Sequence, residues 1–230
     1  AVTPIEVNTP QEMRQRAVIM LTVSRRQTKD EAISIFDAFA AIIRTTEIEG
    51  TNLGQYAHSQ DAAERLLDDD RIAFFFAGGG AERANVERQV RERGLHNVRM
   101  IPRQPKEIMP RLWSLCDVSL IPLRDTPVFS LVIPSKLFES MGMGIPVLMS
   151  LPAGEATGIV AATGCGVCVP PENPEALATA VAALASEPER MRSLQSASLA
   201  AAPIYSRATQ ARRMLSILER VVSAHGRKVH

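Results

Sequence analysis

Three residues able to do chemistry, Ser135, Lys136 and Glu139, stand inside the largely apolar stretch from Ile133 to Met149. Pro134 suits the first turn of a helix, where its missing N–H costs nothing, and Ser135 offers an oxygen to cap the free amides of that turn. Leu137, Phe138 and Met141 share one face, so Pro134 to Met141 reads as a short buried helix that Gly142 and Gly144 stop. Ile145 to Met149 then has the length and composition of a buried strand. A helix start with a lysine in its first turn attracts anions, because the amide ends and the helix dipole are positive there. Glu139 is expected one turn further in, among apolar neighbours, where a carboxylate needs a partner or hydroxyl donors. A phosphate pair at the helix tip with a diol beside it describes a nucleoside diphosphate and its ribose.

The elements that must position these residues alternate regularly. Apolar runs at Ala17–Val23, Ile72–Ala77, Val98–Ile101, Asp117–Leu123, Ile145–Met149 and Cys165–Val169 have strand length. Between and after them, helical periodicity covers Glu31–Arg44, Glu82–Arg93, Lys106–Cys116, Gly158–Thr163, Pro174–Ala185 behind Asn173, Glu187–Leu199 and Arg207–Val222. This alternation predicts an α/β fold, a doubly wound parallel sheet of Rossmann-like type with helices at its C-terminal end, and such folds bind ligands at the carboxyl ends of the strands. Arg25, the glycine turn Gly78 to Gly80, Pro102 and Ser135 with Lys136 all come after strand ends, so they are expected to converge. The polar segment Thr45–Asp70 reads as a solvated insertion, with Ser59–Leu67 a surface helix capped by Ser59. Trp113 is assigned to the core or to an interface rather than to a ligand platform. On the last helix Ala211, Met214, Leu215, Leu218 and Val222 make more apolar surface than a solvated helix needs, so part of it awaits a partner.

Composition narrows the classes. In 230 residues, 46% hydrophobic and with a net charge of +1, there is material for a full core and no basic stripe for nucleic acid. With aromatics at 4%, a base-stacking platform is not expected either. No apolar run approaches the ~20 residues of a membrane span, and Ala1 to Pro10 lacks the regions of a signal peptide, so the expected location is cytoplasmic. Cys165 and Cys168 have redox or metal spacing, yet no second pair or histidine accompanies them, and they read as small buried residues with no metal site.

At Pro134, Ser135, Lys136 and Glu139 the chain resembles the C-terminal, donor-binding domain of family-four retaining glycosyltransferases of the GT-B fold, in the branch that carries Pro-Ser-Lys and builds bacterial exopolysaccharides. The resemblance covers roughly Val18 to Val222 and is dense from Phe74 onward. In the wider family two glutamates separated by seven residues mark the donor site; Glu139 matches the second, and Leu131 stands where the first would be. The resemblance implies that Arg25 and Lys136 are catalytic cations on the donor diphosphate, with Lys29 one place early for a further cation. It also implies that Gly78, Gly80, Pro102, Ser135, Lys136 and Glu139 bind the nucleotide, that residues 124–132 shape the sugar pocket, and that no metal or other cofactor is needed beyond the substrate nucleotide diphosphate sugar, of unknown base.

These readings lead to definite expectations for the chain. Residues 1–16 are a linker or interdomain connection, 17–223 one GT-B half-domain, and 224–230 a tail. The activity implied is hexosyl transfer with retention to a glycan or lipid-linked acceptor, the latter bringing the protein to the inner face of the membrane. An N-terminal acceptor-binding domain is expected outside this chain, which alone transfers no sugar. A non-catalytic nucleotide-binding module and a nucleotide-sugar epimerase of the same architecture are the alternatives, beside a doubly wound protein in which Lys136 and Glu139 are merely structural.

Overall fold

The computed structural model describes residues 18–23, 57–78, 83–105 and 107–226. Six strands, β1 (Val18–Val23), β2 (Ile72–Ala77), β3 (Val98–Ile101), β4 (Val118–Pro122), β5 (Val147–Ser150) and β6 (Gly166–Val169), form one sheet in the order β3-β2-β1-β4-β5-β6. This is the doubly wound order, in which the chain starts near the middle and works outward on each side. β2 pairs in parallel with β3, and β4, β5 and β6 are parallel to one another.

The central strand departs from the expected parallel sheet, because β1 runs antiparallel to both β2 and β4. The apolar run that marks a strand buried on both faces reads the same in either direction, so nothing in it fixes strand sense. Since β1 opposes both neighbours, β2 and β4 share one direction, and the carboxyl ends of β2 to β6 lie along one edge. Val18 of β1 pairs with Ala77 at that edge, whereas Val23 pairs with Ile72 at the far one.

Alternation sorts the strand residues onto two faces. Ile72, Phe74, Phe76, Val98, Val118, Leu120 and Leu148 face the helices α1 (Ala57–Arg65), α2 (Arg83–Glu92) and α7 (Pro174–Ser186). On the other face Ala73, Phe75 and Ile101 meet α3 (Met109–Trp113), while Ile121, Val147 and Met149 meet α5 (Ser135–Gly142) and α6 (Glu155–Thr163). Phe74, Phe75 and Phe76 are each essentially inaccessible, and burying such a ring contributes about 1.5–3 kcal/mol. A four-residue helix α4 (Pro127–Ser130) interrupts the segment expected as loop between β4 and α5, and α8 (Pro188–Ala201) and α9 (Arg207–Gly226) complete the described chain.

The helix expected over Glu31–Arg44 lies outside the described residues. Among the described helices, two differ most from expectation, each for a physical reason. α3 is only five residues long because Pro110, which lacks an N–H and would clash with the carbonyl four residues earlier, must lie in its first turn. Trp113 is core, as its sequence context implied. The larger correction is α1, expected as a solvated surface helix capped by Ser59: Ser59 lies inside the helix, and Ser59, Gln60, Ala62 and Ala63 are all fully buried. Their spacing matches a helical face, but alanines and a serine rather than large apolar residues make it, which lets α1 pack closely on α7. Buried Asn97 donates through Nδ2 to the carbonyls of Ala63 (2.8 Å) and Leu66 (3.3 Å), satisfying the last turn of α1. Arg93, at the end of α2, pairs with Asp61 (2.8 Å) and Glu64 of α1, and that guanidinium holds the Glu64 carboxyl below its usual range.

Candidate functional site

The carboxyl edge gathers the candidate residues in two groups. Gly78 comes directly after β2 and Pro102 directly after β3, and the two strand ends are joined where the Gly78 N–H donates to the Ile101 carbonyl at 3.0 Å. Gly78 has φ +154°, a backbone conformation that a side chain disfavours. A residue not singled out from sequence organises this corner. Arg83, in the first turn of α2, donates through Nη1 to the carbonyls of Gly78 and Ile101 (2.9 Å) and pairs through Nη2 with Glu87 at 2.6 Å. It thereby ties the turn after β2 to the end of β3. The only sequence signal was an arginine shortly after three glycines, a pattern too common to single out.

The second group lies on α5, which follows β4, and β4 is separated from β2 in the sheet by β1. The helix is held by Leu137 and Met141, both fully buried against Ile121, Met149 and Val160, and by Phe138, whose ring stacks on Tyr205 at 5.6 Å. Pro134, with φ −65° and ψ 129°, is the N-cap, and it makes no side-chain cap hydrogen bond. Ser135 is therefore the first helical residue and not the cap expected of it, a one-residue shift that the fixed φ of Pro134 permits on either side of the helix start. The first turn thus lacks a side-chain cap at the edge where the strands end, which leaves it suited to an external anion.

Lys136 is half-buried and Glu139 exposed, three residues apart on the same side of the helix. Glu139 is not surrounded by apolar neighbours as expected; Leu137 and Met141 face inward and leave it on the solvent side. That exposure suits a carboxylate that meets a ligand from solution.

Of the remaining candidates, Gly80, Arg25 and Lys29 lie outside the described residues. β1 delivers its carboxyl end to one edge of the sheet, and β2 to β6 deliver theirs to the opposite one. Cys165 is buried and Cys168 exposed, and both thiols are free. Desolvation pushes the Cys168 thiol up to about 11, with Cys165 as a second cause, and burial raises Cys165 as well. Among the described residues no group of three or more histidine, cysteine or acidic side chains is placed to hold a metal ion.

A doubly wound sheet with an uncapped helix start and a glycine turn at its carboxyl edge defines a nucleotide-binding type of α/β domain. Residues 55–199 match the model for glycosyl transferases group 1, and the chain belongs to that family. The match begins beside α1, which makes that buried helix part of the family's domain and leaves Arg25 outside the matched region. The chain is 32% identical over 123 residues to the putative colanic acid biosynthesis glycosyl transferase WcaI of Escherichia coli, covering 53% of this chain and 30% of that protein. It is 33% identical over 118 residues to the probable glycosyltransferase WbjE of Pseudomonas aeruginosa, covering 51% of this chain and 29% of that one. The aligned part of the chain thus spans about 30% of the length of these relatives. Among solved structures, HepE of Anabaena, in complex with UDP and glucose, superposes with a TM-score of 0.61 at 15% identity, over 83% of this chain and 52% of HepE. That likeness establishes the fold, a Rossmann-like half of the GT-B architecture.

Proposed function

We propose that this chain is the donor-binding half of a retaining hexosyltransferase that uses a nucleotide diphosphate sugar to build an exopolysaccharide. The observation that carries the reading is that the family match includes α5, whose uncapped first turn, Lys136 and Glu139 lie at the carboxyl edge of the sheet. In this reading the diphosphate rests on the amides of the first turn beside Ser135 and Lys136. As the bond from the anomeric carbon to the diphosphate oxygen breaks, negative charge grows on the leaving group and is met by the helix dipole and the lysine cation. Glu139 accepts hydrogen bonds from the ribose hydroxyls, and the backbone around Gly78, Gly80 and Pro102 approaches the nucleoside. The UDP in HepE supports a nucleotide donor, and the name of WcaI supports a polysaccharide product.

Acceptor binding belongs, in the same proposal, to a second domain, since this chain covers 52% of HepE. Transfer needs the acceptor oxygen within about 3–3.5 Å of the anomeric carbon, a geometry that takes a second wall. A lipid-linked acceptor would bring the assembled enzyme to a membrane surface; among the described residues no helix is long and apolar enough to cross one. The limited share of the relatives that is covered also favours one other reading, a nucleotide-binding module without transferase activity of its own. Titration calorimetry with UDP, GDP and ADP tests the shared donor site. One of them binds, and Glu139→Ala weakens it by about tenfold or more, as expected on losing a charged hydrogen-bond acceptor. Equal affinity in the folded variant removes the ribose role. Adding a co-expressed acceptor domain then separates the two readings: sugar transfer supports the transferase, and its absence supports the module.

A further inference from the structure

One side chain holds the corner where β2 and β3 end. The parallel ladder between the two strands stops at Ala77 and Ile101, and the Arg83 guanidinium takes over from it. Its Nη1 donates to the carbonyls of Gly78 and Ile101, the latter at 2.9 Å, while Nη2 pairs with Glu87 one turn along α2 at 2.6 Å. A lysine is a single point charge, whereas the planar fork of arginine can meet two carbonyls and a carboxylate at once. The stem is steadied too, because Val86, three residues on and on the same side of α2, is buried in the core with Phe74 and Phe76. Gly78 needs such a hold. At φ +154° it occupies backbone space that favours glycine, and glycine is the residue that loses most freedom on being fixed.

We infer that Arg83 is a positioning residue for the nucleoside end of the donor. By fixing the Gly78 and Ile101 carbonyls, and being itself oriented by Glu87, it holds the ends of β2 and β3 in their binding conformation before the ligand arrives. This rests on the donor-site reading and adds a residue that acts through the backbone. Topology supports it independently of any relative, since doubly wound sheets take ligands at the carboxyl ends of their strands, where both carbonyls lie. A glycine turn that must become ordered on binding weakens the complex by that entropy, and a turn already held does not. The first turn of α5 follows β4, on the other side of β1, so the loss of Arg83 loosens the nucleoside end and leaves the diphosphate end in place.

The test uses the full 230-residue chain and whichever of UDP, GDP and ADP binds it most tightly. Arg83→Met, which keeps an apolar stem and loses the fork, is expected to weaken that nucleotide about five- to tenfold, and Arg83→Lys to recover only part of the loss. Hydrogen exchange at saturating nucleotide then separates positioning from general damage. In Arg83→Met the protection persists at Ser135 to Leu137 and is lost at Gly78 and in the segment after Ile101. Glu87→Gln, which leaves the guanidinium without its anchor, shifts both readouts the same way by a smaller amount, and it carries the test if Arg83→Met does not fold. Unchanged affinity in the folded variants, or protection that falls equally at α5 and at Gly78, overturns the inference alone. If no nucleoside diphosphate binds the unaltered chain, the donor-site reading fails and the inference fails with it.

Discussion

Helices α1 and α9 invert each other. α1 is polar in composition, yet it buries Ser59, Gln60, Ala62 and Ala63 completely between the sheet and α7. α9 carries Met214, Leu215, Ile217, Leu218, Val221 and Val222 on one broad side, and each is between 49% and 71% exposed. Burial here depends on where the topology places a helix rather than on how apolar it is. α1 lies packed on the sheet and on α7, where close approach favours small residues. α9 follows Tyr205, its apolar side exposed among the described residues, and Ser206 begins it by accepting the Thr209 N–H at 3.2 Å. Within the donor-half proposal, its apolar side waits for the acceptor domain.

Placing the same charge on both helices should separate them widely. Ala63→Glu should lower stability by more than about 3 kcal/mol, through overpacking and a buried unpaired carboxylate. Leu218→Glu should change it by less than about 0.5 kcal/mol. Urea midpoints compare them directly, and similar losses would mean that α9 is packed in solution.

The same opposition recurs around α6 at smaller scale. Gly154→Ala drives a methyl group into the Ser130 carbonyl and should cost about 1–3 kcal/mol, while Gly158, with open space around its Cβ position, should tolerate alanine and gain about 0.5–1 kcal/mol. Thermal unfolding that moved both variants the same way would contradict the close approach of α4 to α6.

The smallest effect concerns the cysteines. Cys168 is exposed, but with its thiol pushed up to about 11 almost none is thiolate near neutrality. Alkylation by iodoacetamide at a pH of about 7.5 should run about a hundredfold slower than that of a free thiol of pKa about 8.5, and accelerate as pH rises toward about 11. Cys165 should react only on unfolding. Fast labelling of Cys168 at neutral pH would show an environment other than the one described.

Much of the fold could be read from the chain because strand runs and helical periodicity are local signals. The strand limits of β2 and β3, the Asn173 cap of α7, which accepts the Ala176 N–H at 2.9 Å, and the extent of α5 are all set by residues next to one another. What escaped depended on distant partners. The burial of α1 needs α7, which lies far along the chain, and the sense of β1 needs both its neighbours. Arg83 acquires its role only when the ends of β2 and β3 come together. At the candidate site, the helix and its lysine were legible from Pro134 and the apolar face behind them. The exposure of Glu139 was not, because Leu137 and Met141 account for the inward face only once the sheet is in place.

The donor-site proposal puts a nucleoside diphosphate at the first turn of α5, opposite the Gly78 turn. Hydrogen exchange of the 230-residue chain, with and without the diphosphate that calorimetry selects, reads that location residue by residue. Slower exchange is expected at Ser135, Lys136 and Leu137, at Gly78 and in the segment after Ile101, with α9 unchanged. Protection confined to α9 or to the β6 edge, or none at α5 while the nucleotide is bound, would refute the proposed site.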